Sequence, residues 1–317
     1  MKKFSIILSF SLTLFLLISC KGTSKDNPKE YQMETVSSKI TPEMVTVKYL
    51  LEIQTNAAFC QATVNGIPLF DNFAYDSGTV KTSILASAFL ENGKNEIGLL
   101  FSPFKYDKNP SCDIILTANF PDKQIELTSI SATVDPEGDP TSITSKEYPE
   151  KHKTSRITEG GYQTKEGLDF LMTREITLQS LPEWAWTKAT PLPDSPETYA
   201  RLQDAYIKLG LMFKNNDYES FKKTVWLAIY ESALADTLDP EFYFETTDFP
   251  KKFSQGVSSA PAPKWSDFKL KLYKGGRLAR IVNRYGITPV EYKQSNGEIY
   301  FYNCYFSLID GKLVVAR

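Results

Sequence analysis

The stretch VTVKYLLEIQ, residues 45–54, alternates apolar and polar side chains with a period of two. Successive side chains of a strand point to opposite faces, so an extended chain would place the apolar set on one face. That set consists of Val45, Val47, Tyr49, Leu51 and Ile53. The pattern predicts a half-buried β-strand with one face in a core.

Short runs of similar character follow along the first half of the chain, at 60–64, 80–90, 96–101, 112–120, 124–134 and 170–178. Most are bounded by Pro, Gly, Asn or Asp. Short strands with turns every ten or so residues are typical of an antiparallel β-sandwich. We therefore predict a β-sandwich domain over residues 44–180. The polar run 135–167 is expected to form an exposed loop or a protruding hairpin.

Two segments of this half, TVNGIPL at 63–69 and FLENGKNEI at 89–97, resemble the galactose-binding-like jelly rolls of many secreted enzymes. In that family a strand and an Asn-Gly turn precede a hairpin of the form Leu-x-x-Gly-x-Asn-x-Ile. The resemblance implies a β-sandwich. Because its letters encode turns, no carbohydrate-contacting residue is transferred to this chain.

The second half begins with helical signals. Ser195 is a good N-cap, Pro196 suits the first helical position, and Glu197 suits the positive end of the helix dipole. Spacings of three and four then place one apolar face along the helix: Tyr199, Leu202, Tyr206, Leu209 and Phe213. A second helix is predicted over 218–238.

Strands are predicted at 268–273, 278–284, 288–293, 299–309 and 313–316, and Asp310-Gly311 predicts a tight hairpin. The predicted fold class is therefore α+β. Its second domain, residues 195–317, has two or three helices packed on a curved antiparallel sheet. Residues 181–194 form the linker, and Trp184 and Trp186 are expected to pack in the seam between the domains.

The order of elements over 195–317, helices followed by a long bending sheet, resembles the nuclear-transport-factor-2-like cone. That family often carries a cavity inside the bent sheet. In its enzymatic members, an Asp with a His or Tyr lines that cavity. The resemblance implies a possible binding cavity in the second domain.

The N-terminus has the order of a secretory signal. Lys2 and Lys3 precede an apolar run, residues 4–18, which is shorter than the about 20 residues that span a bilayer. The run ends in Leu17-Ile18-Ser19-Cys20, which resembles the lipobox of bacterial lipoproteins. The resemblance implies removal of residues 1–19 and attachment of diacylglycerol and a fatty acid such as palmitate to Cys20. The alternative is an ordinary cleaved signal.

In the lipoproteins of enteric bacteria, an Asp directly after the Cys favours retention in the inner membrane. By this resemblance, Lys21 implies sorting to the outer membrane. No acidic run follows Cys20, so we expect the periplasmic side of that membrane. Residues 20–43 are polar and are predicted to form a lipidated flexible tether.

The mature chain of 317 − 19 = 298 residues can form two domains. Without Lys2 and Lys3, 34 basic residues face 38 acidic ones, a formal charge of −4. This balance excludes the basic footprint of a nucleic-acid binder.

Three cysteines remain after Cys20. An oxidising envelope permits disulfides, and Cys60 and Cys112 both lie in the strand-rich half. We predict that they pair and that Cys304 is a buried free thiol. A metal site is not expected, because these cysteines include no CxxC pair and have no nearby His.

Catalytic motifs are absent from the sequence, so no cofactor and no enzymatic activity are predicted. The single histidine, His152, lies in the polar loop, a poor position for nucleophilic catalysis. Three carboxylates, Glu241, Glu245 and Asp248, have the spacing of one helical face. They are interpreted as a solvated edge, a recognition patch, or a glycosidase-type pair.

The predicted recognition patch joins these carboxylates to basic residues of the last strands. It comprises Glu241, Tyr243, Glu245, Asp248, Lys269, Lys271, Arg277 and Arg280. The alternative for the basic group is the wet face of a sheet.

The sequence thus predicts a non-catalytic outer-membrane lipoprotein that binds a protein partner, one form being an immunity protein against a delivered toxin. One rival is a cavity in the C-terminal domain that binds a lipid or another small apolar ligand. Another rival is a carboxylate-dependent envelope hydrolase.

Overall fold

The computed structural model describes residues 33–73, 77–104, 109–143, 153–156, 170–259, 262–294 and 297–317. All of these described residues belong to one compact unit. The predicted signal peptide, Cys20 and His152 lie outside the described residues. The architecture is α+β as predicted, with antiparallel sheets first, then helices and further antiparallel strands.

The first part holds two five-stranded antiparallel sheets. Its strands are β1 (Lys48–Asn56), β2 (Ala58–Val64), β3 (Ile67–Asp71), β4 (Val80–Leu85), β5 (Gly93–Pro103), β6 (Ser111–Asn119), β7 (Gln124–Val134), β8 (Pro140–Ile143), β9 (Lys153–Arg156) and β10 (Phe170–Leu178). The sheet orders are β4-β1-β6-β7-β8 and β3-β2-β5-β10-β9. In β1, every second residue from Tyr49 to Thr55 is buried, as the alternation predicts.

A disulfide joins these two sheets. Cys60 lies in β2 and Cys112 in β6, and their Cα atoms are 6.5 Å apart. Both side chains are buried in a core shared by the two sheets. The predicted pairing is therefore confirmed, and Cys304 is a buried free cysteine.

The Asn-Gly turn between β2 and β3 also forms as expected. Asn65 and Gly66 have positive φ values of 56° and 75°, which suit a two-residue hairpin loop. The Asn65 amide donates to Oδ1 of Asn95 at 3.0 Å and to the carbonyl of Phe89 at 2.8 Å. These contacts join the β2–β3 hairpin to the segment before β5. The hairpin expected over 89–97 does not form, because β4 and β5 lie in different sheets.

The second part begins with the helices α1 (Pro196–Lys214), α2 (Tyr218–Ala235), α3 (Pro240–Thr246) and α4 (Phe249–Ser254). The hydroxyl of Ser195 accepts from the Thr198 amide at 3.2 Å, which confirms the predicted N-cap. Asp217 caps α2 in the same way through the Ser220 amide. The inner faces of α1 and α2 share one core with α3, α4 and the last strands.

The last strands are β11 (Val257–Ser259), β12 (Phe268–Tyr273), β13 (Leu278–Asn283), β14 (Glu291–Gln294), β15 (Ile299–Phe301), β16 (Phe306–Ile309) and β17 (Lys312–Val315). They form a four-stranded sheet, β12-β13-β16-β17, and a three-stranded sheet, β11-β14-β15. Asp310 and Gly311 form the β16–β17 turn with positive φ at both residues, as predicted.

The prediction of one long strand over 299–309 was wrong, because β15 and β16 belong to different sheets. Between β15 and β16, Asn303 and Cys304 form hydrogen bonds with residues outside both strands. The Asn303 side chain accepts from the Thr288 amide at 3.1 Å, and the Cys304 carbonyl accepts from the Tyr206 hydroxyl at 3.3 Å. These contacts turn the chain from one sheet to the next.

The described end of the expected tether lies against the folded body. Met33 packs in the core of the helices, and Ile40 packs in a cluster with Trp184 and Trp186. The Tyr230 hydroxyl donates to the Ile40 carbonyl at 3.3 Å. The structure thus differs from a free tether over 33–43, because these apolar side chains find buried sites.

The two tryptophans are fully buried between the sandwich strands and the helical part, as expected. They lie at a 3-10 turn, Ala185–Lys188. Their indole N–H groups donate to the carbonyls of Ser87 and Ala88 at 3.0 and 2.9 Å. Both polar ends are therefore satisfied by the sandwich.

Candidate functional site

The short helix α3 presents one large aromatic side chain to solvent. Asp239 caps the helix by accepting from the Phe242 amide at 2.9 Å, and Pro240 occupies its first turn. Phe244 points inward and is fully buried, whereas Phe242 points outward and is 59% exposed. The cap and the buried Phe244 hold the helix backbone that carries Phe242.

Carboxylates lie on this helix and at the start of α2. Glu241 and Glu245 lie on α3 and are exposed, and Glu219 is exposed in the first turn of α2. Burial raises the pKa of Tyr218, and the negative charges of all three carboxylates raise it further, opposed by Lys222. The three acidic groups therefore lie close enough to act on one phenol.

Lys222 of α2 binds one of these carboxylates, that of Glu241. Its ammonium contacts the Glu241 carboxylate at 2.6 Å, and this hydrogen bond raises the pKa of Lys222. The same ammonium lies 5.3 Å from the centroid of Trp226 and 5.2 Å from that of Phe244. We define the α3 patch as Tyr218, Glu219, Lys222, Glu241, Phe242 and Glu245.

The other predicted acidic-side residues lie near this patch but differ in environment. Burial raises the pKa of Tyr243, and this residue is only partly exposed. We therefore leave Tyr243 out of the surface that would contact a partner. Asp248 is exposed and begins α4 with a left-handed backbone, φ 63°. Its charge acts on Tyr292 and Tyr300, away from Tyr218.

The basic half of the predicted patch is not one surface. Lys269 and Lys271 are exposed on β12. Arg280 is buried, with its guanidinium 4.6 Å from the ring centroid of Tyr305 and its Nε donating to the Tyr273 hydroxyl.

Arg277 is occupied within the chain. It contacts both carboxylate oxygens of Glu91 in the sandwich, at 2.6 and 2.8 Å, and Lys274 contacts the same carboxylate at 2.5 Å. Alternation along a strand could not predict this, because the acidic partner lies 186 residues away in sequence.

The alternative prediction, a carboxylate-dependent hydrolase, rested on Glu241, Glu245 and Asp248. All three side chains are exposed, and Glu241 forms an ion pair with Lys222. No three His, Cys, Asp or Glu side chains converge as a metal site within the described residues. The same part of the chain contains no helix long and apolar enough to cross a membrane.

Aromatic rings from α1, α2 and α4 pack against one another and against β14 in the C-terminal part, where the rival prediction expected a cavity for a small apolar ligand. Phe213 is 4.4 Å from Tyr292 and 4.8 Å from Phe221, measured between centroids. Phe249 lies 4.7 Å from Phe221, and Phe253 stacks on Phe213 at 5.2 Å. This part of the core is formed by mutual ring contacts.

No family model, curated protein or solved structure matches the chain. The α3 patch is thus identified by its own geometry. The sequence indicated Glu241 and Glu245 but neither Glu219 nor Phe242. An aromatic run does not reveal which ring faces solvent. The helical spacing between Phe242 and the buried Phe244 is about 200°, which places the two rings on opposite sides of the helix.

Proposed function

We propose that this chain is a lipid-anchored, non-catalytic protein of the bacterial envelope that binds a protein partner through the α3 patch. The observation that carries the proposal is Phe242, an aromatic ring 59% exposed on a capped helix that also carries the exposed Glu241 and Glu245. Aromatic side chains, Phe among them, are enriched in the buried cores of protein–protein interfaces. The location is supported by the lipobox resemblance at Leu17–Cys20 alone.

The composition of the patch favours a partner with an apolar pocket and basic residues around it. Glu219, Glu241 and Glu245 would face those basic groups at the rim, where charge mainly raises the association rate. Phe242 would fill the pocket. An immunity protein that covers a toxin delivered into the periplasm is one form of this proposal, and a neighbouring gene for a secreted effector would favour it.

Site-specific photo-crosslinking in the native envelope tests the proposal. A photoreactive phenylalanine analogue in place of Phe242 should capture one defined protein, identified by mass spectrometry. The matched control carries the analogue at Tyr285, which is also aromatic and 62% exposed, and should not capture that protein. Equal capture at both positions, or none at Phe242, would contradict the proposal.

A further inference from the structure

The edge strand β15 carries two exposed apolar side chains and an unpaired backbone edge. Ile299 is 53% exposed and Phe301 is 42% exposed. The sheet order β11-β14-β15 leaves β15 with one neighbour. Such an edge is a template for pairing with another chain unless the sequence protects it.

The hydrogen bonds to β14 show which backbone groups point outward. The Tyr302 amide donates to the Val290 carbonyl at 3.0 Å, and the Gln294 amide donates to the Glu298 carbonyl at 2.9 Å. Residues of an antiparallel strand alternate in direction, so residues 298, 300 and 302 face β14. The N–H and C=O groups of Ile299 and Phe301 therefore face the open edge.

Several other edge strands in the described part of the chain carry a Lys or Pro, which disfavours pairing with another chain. They are β3 (Pro68), β4 (Lys81), β8 (Pro140), β12 (Lys269, Lys271) and β17 (Lys312). The short β11 lies against α1. In contrast, β15 has the sequence Ile-Tyr-Phe, with neither a Lys nor a Pro.

We infer that β15 pairs with β15 of a second copy of this chain. A two-fold axis at Tyr300 would place Ile299 of each copy opposite Phe301 of the other, the residues whose backbone groups are available. Each such pair exchanges two hydrogen bonds, and the apolar side chains meet on the same face. The edge is therefore complementary to itself in one register.

The charges beside this edge agree with that register. On β14, Glu291 pairs with Phe301 and Lys293 pairs with Ile299. Across the joined sheet, a row would run from Glu291 through Phe301 to Ile299 and Lys293 of the second copy. Each row thus ends in opposite charges, and no like charges stand opposite each other on this face.

On the opposite face of the sheet, contacts of Tyr300 hold β15 against the protein. The Tyr300 ring stacks on Tyr292 with centroids 5.6 Å apart, and the Lys252 ammonium lies 4.2 Å from the Tyr300 centroid. The Tyr300 hydroxyl donates to Glu298 at 2.6 Å. Because β15 is short, we expect a weak dimer that depends on concentration, independent of the partner bound by the α3 patch.

Cysteine cross-linking of the full chain in membranes tests the register. Tyr300→Cys should give a disulfide-linked dimer. The two copies of residue 300 would lie directly opposite each other as a non-hydrogen-bonded pair, with their Cα atoms about 4.5 Å apart. Ile299→Cys should not, because the two copies of that residue would be offset, with their Cα atoms about 7–8 Å apart. Equal cross-linking at both positions would contradict the register.

Sedimentation of the detergent-solubilised full chain tests the surface. Ile299→Lys should weaken the dimer by at least about tenfold, a difference of about 1.4 kcal/mol. Ile125→Lys is the matched control, since Ile125 is 40% exposed in β7 of a different sheet, and should leave the dimer unchanged. A monomer at every concentration would overturn the inference, as would Tyr300→Cys linking only to a different protein.

Discussion

Arg317 and Glu231 form an ion pair of 2.8 Å whose side chains are 1% and 0% exposed. Burial lowers the pKa of Arg317, and the Glu231 charge opposes that shift. Glu231 also accepts from the Ser38 hydroxyl at 2.8 Å and the Ala185 amide at 3.0 Å, and Arg317 Nε donates to the Ala88 carbonyl at 2.8 Å. The pair therefore joins α2, the sandwich, the tryptophan turn and the N-terminal segment.

Breaking this pair should strongly destabilise the protein. Glu231→Ala leaves the Arg317 charge buried without its counter-ion, and such losses cost about 3–5 kcal/mol. Urea unfolding at neutral pH measures the change. The control, Glu183→Ala, removes an equally short but exposed pair with Lys188 and should cost less than about 1 kcal/mol. Similar costs for the two variants would contradict the role of the buried pair.

The Glu91 site predicts how stability depends on pH. Burial alone would raise the pKa of Glu91, but hydrogen bonds from Arg277 and Lys274 outweigh it and lower that pKa below 4.5. A depressed carboxyl pKa adds stability above the unfolded value, and this contribution is lost as the pH falls through the folded value.

The free energy of unfolding of Glu91→Gln should therefore fall below that of the native chain most clearly at pH 7. The difference should shrink as the pH drops below about 4.5. Arg277→Gln should remove much of the same pH dependence, because it takes away both guanidinium contacts. Chemical unfolding across this pH range gives the result, and a constant difference would rule out the linkage.

The disulfide should contribute strongly to stability. Cys60 and Cys112 are separated by 52 residues in sequence, and the chain-entropy model gives about 4 kcal/mol for closing such a loop. Reductant should lower the unfolding midpoint of the native chain accordingly. It should have no effect on a Cys60→Ala/Cys112→Ala variant, since Cys304 is buried and unpaired. An unchanged midpoint in the native chain would contradict this estimate.

Much of the fold could be predicted because its signals are local. The alternation around Leu51, the cap at Ser195 and the turn at Asp310 each depend on neighbours in sequence. In contrast, the split between β15 and β16 depends on Thr288 and Tyr206, which meet that segment only in the folded chain. The strand-like pattern of residues 299–309 continues through this break, so the sequence did not reveal it.

The site was predicted only in part. The carboxylates Glu241 and Glu245 were found from their helical spacing, but the basic residues grouped with them lie elsewhere. Arg277 and Arg280 are occupied by Glu91 and by aromatic rings that are distant in sequence. A charge on a predicted strand does not reveal whether a partner from another element will bury it.

The anchor gives a prediction outside the described residues. Full-length chain expressed with a labelled fatty acid should incorporate the label and appear in the membrane fraction. Cys20→Ala should abolish the incorporation of label, because that residue is the proposed attachment point of the acyl chains, and more than one chain is needed for stable membrane residence. Labelling that persists in Cys20→Ala would contradict the lipobox interpretation.

The most direct test of the account is the affinity of the partner captured at Phe242, measured by isothermal titration with purified variants. Phe242→Ala should weaken binding by about tenfold or more, as expected for a central aromatic anchor. Tyr285→Ala should leave it unchanged. If Phe242→Ala binds the partner as tightly as the native chain does, the α3 patch is not the binding surface.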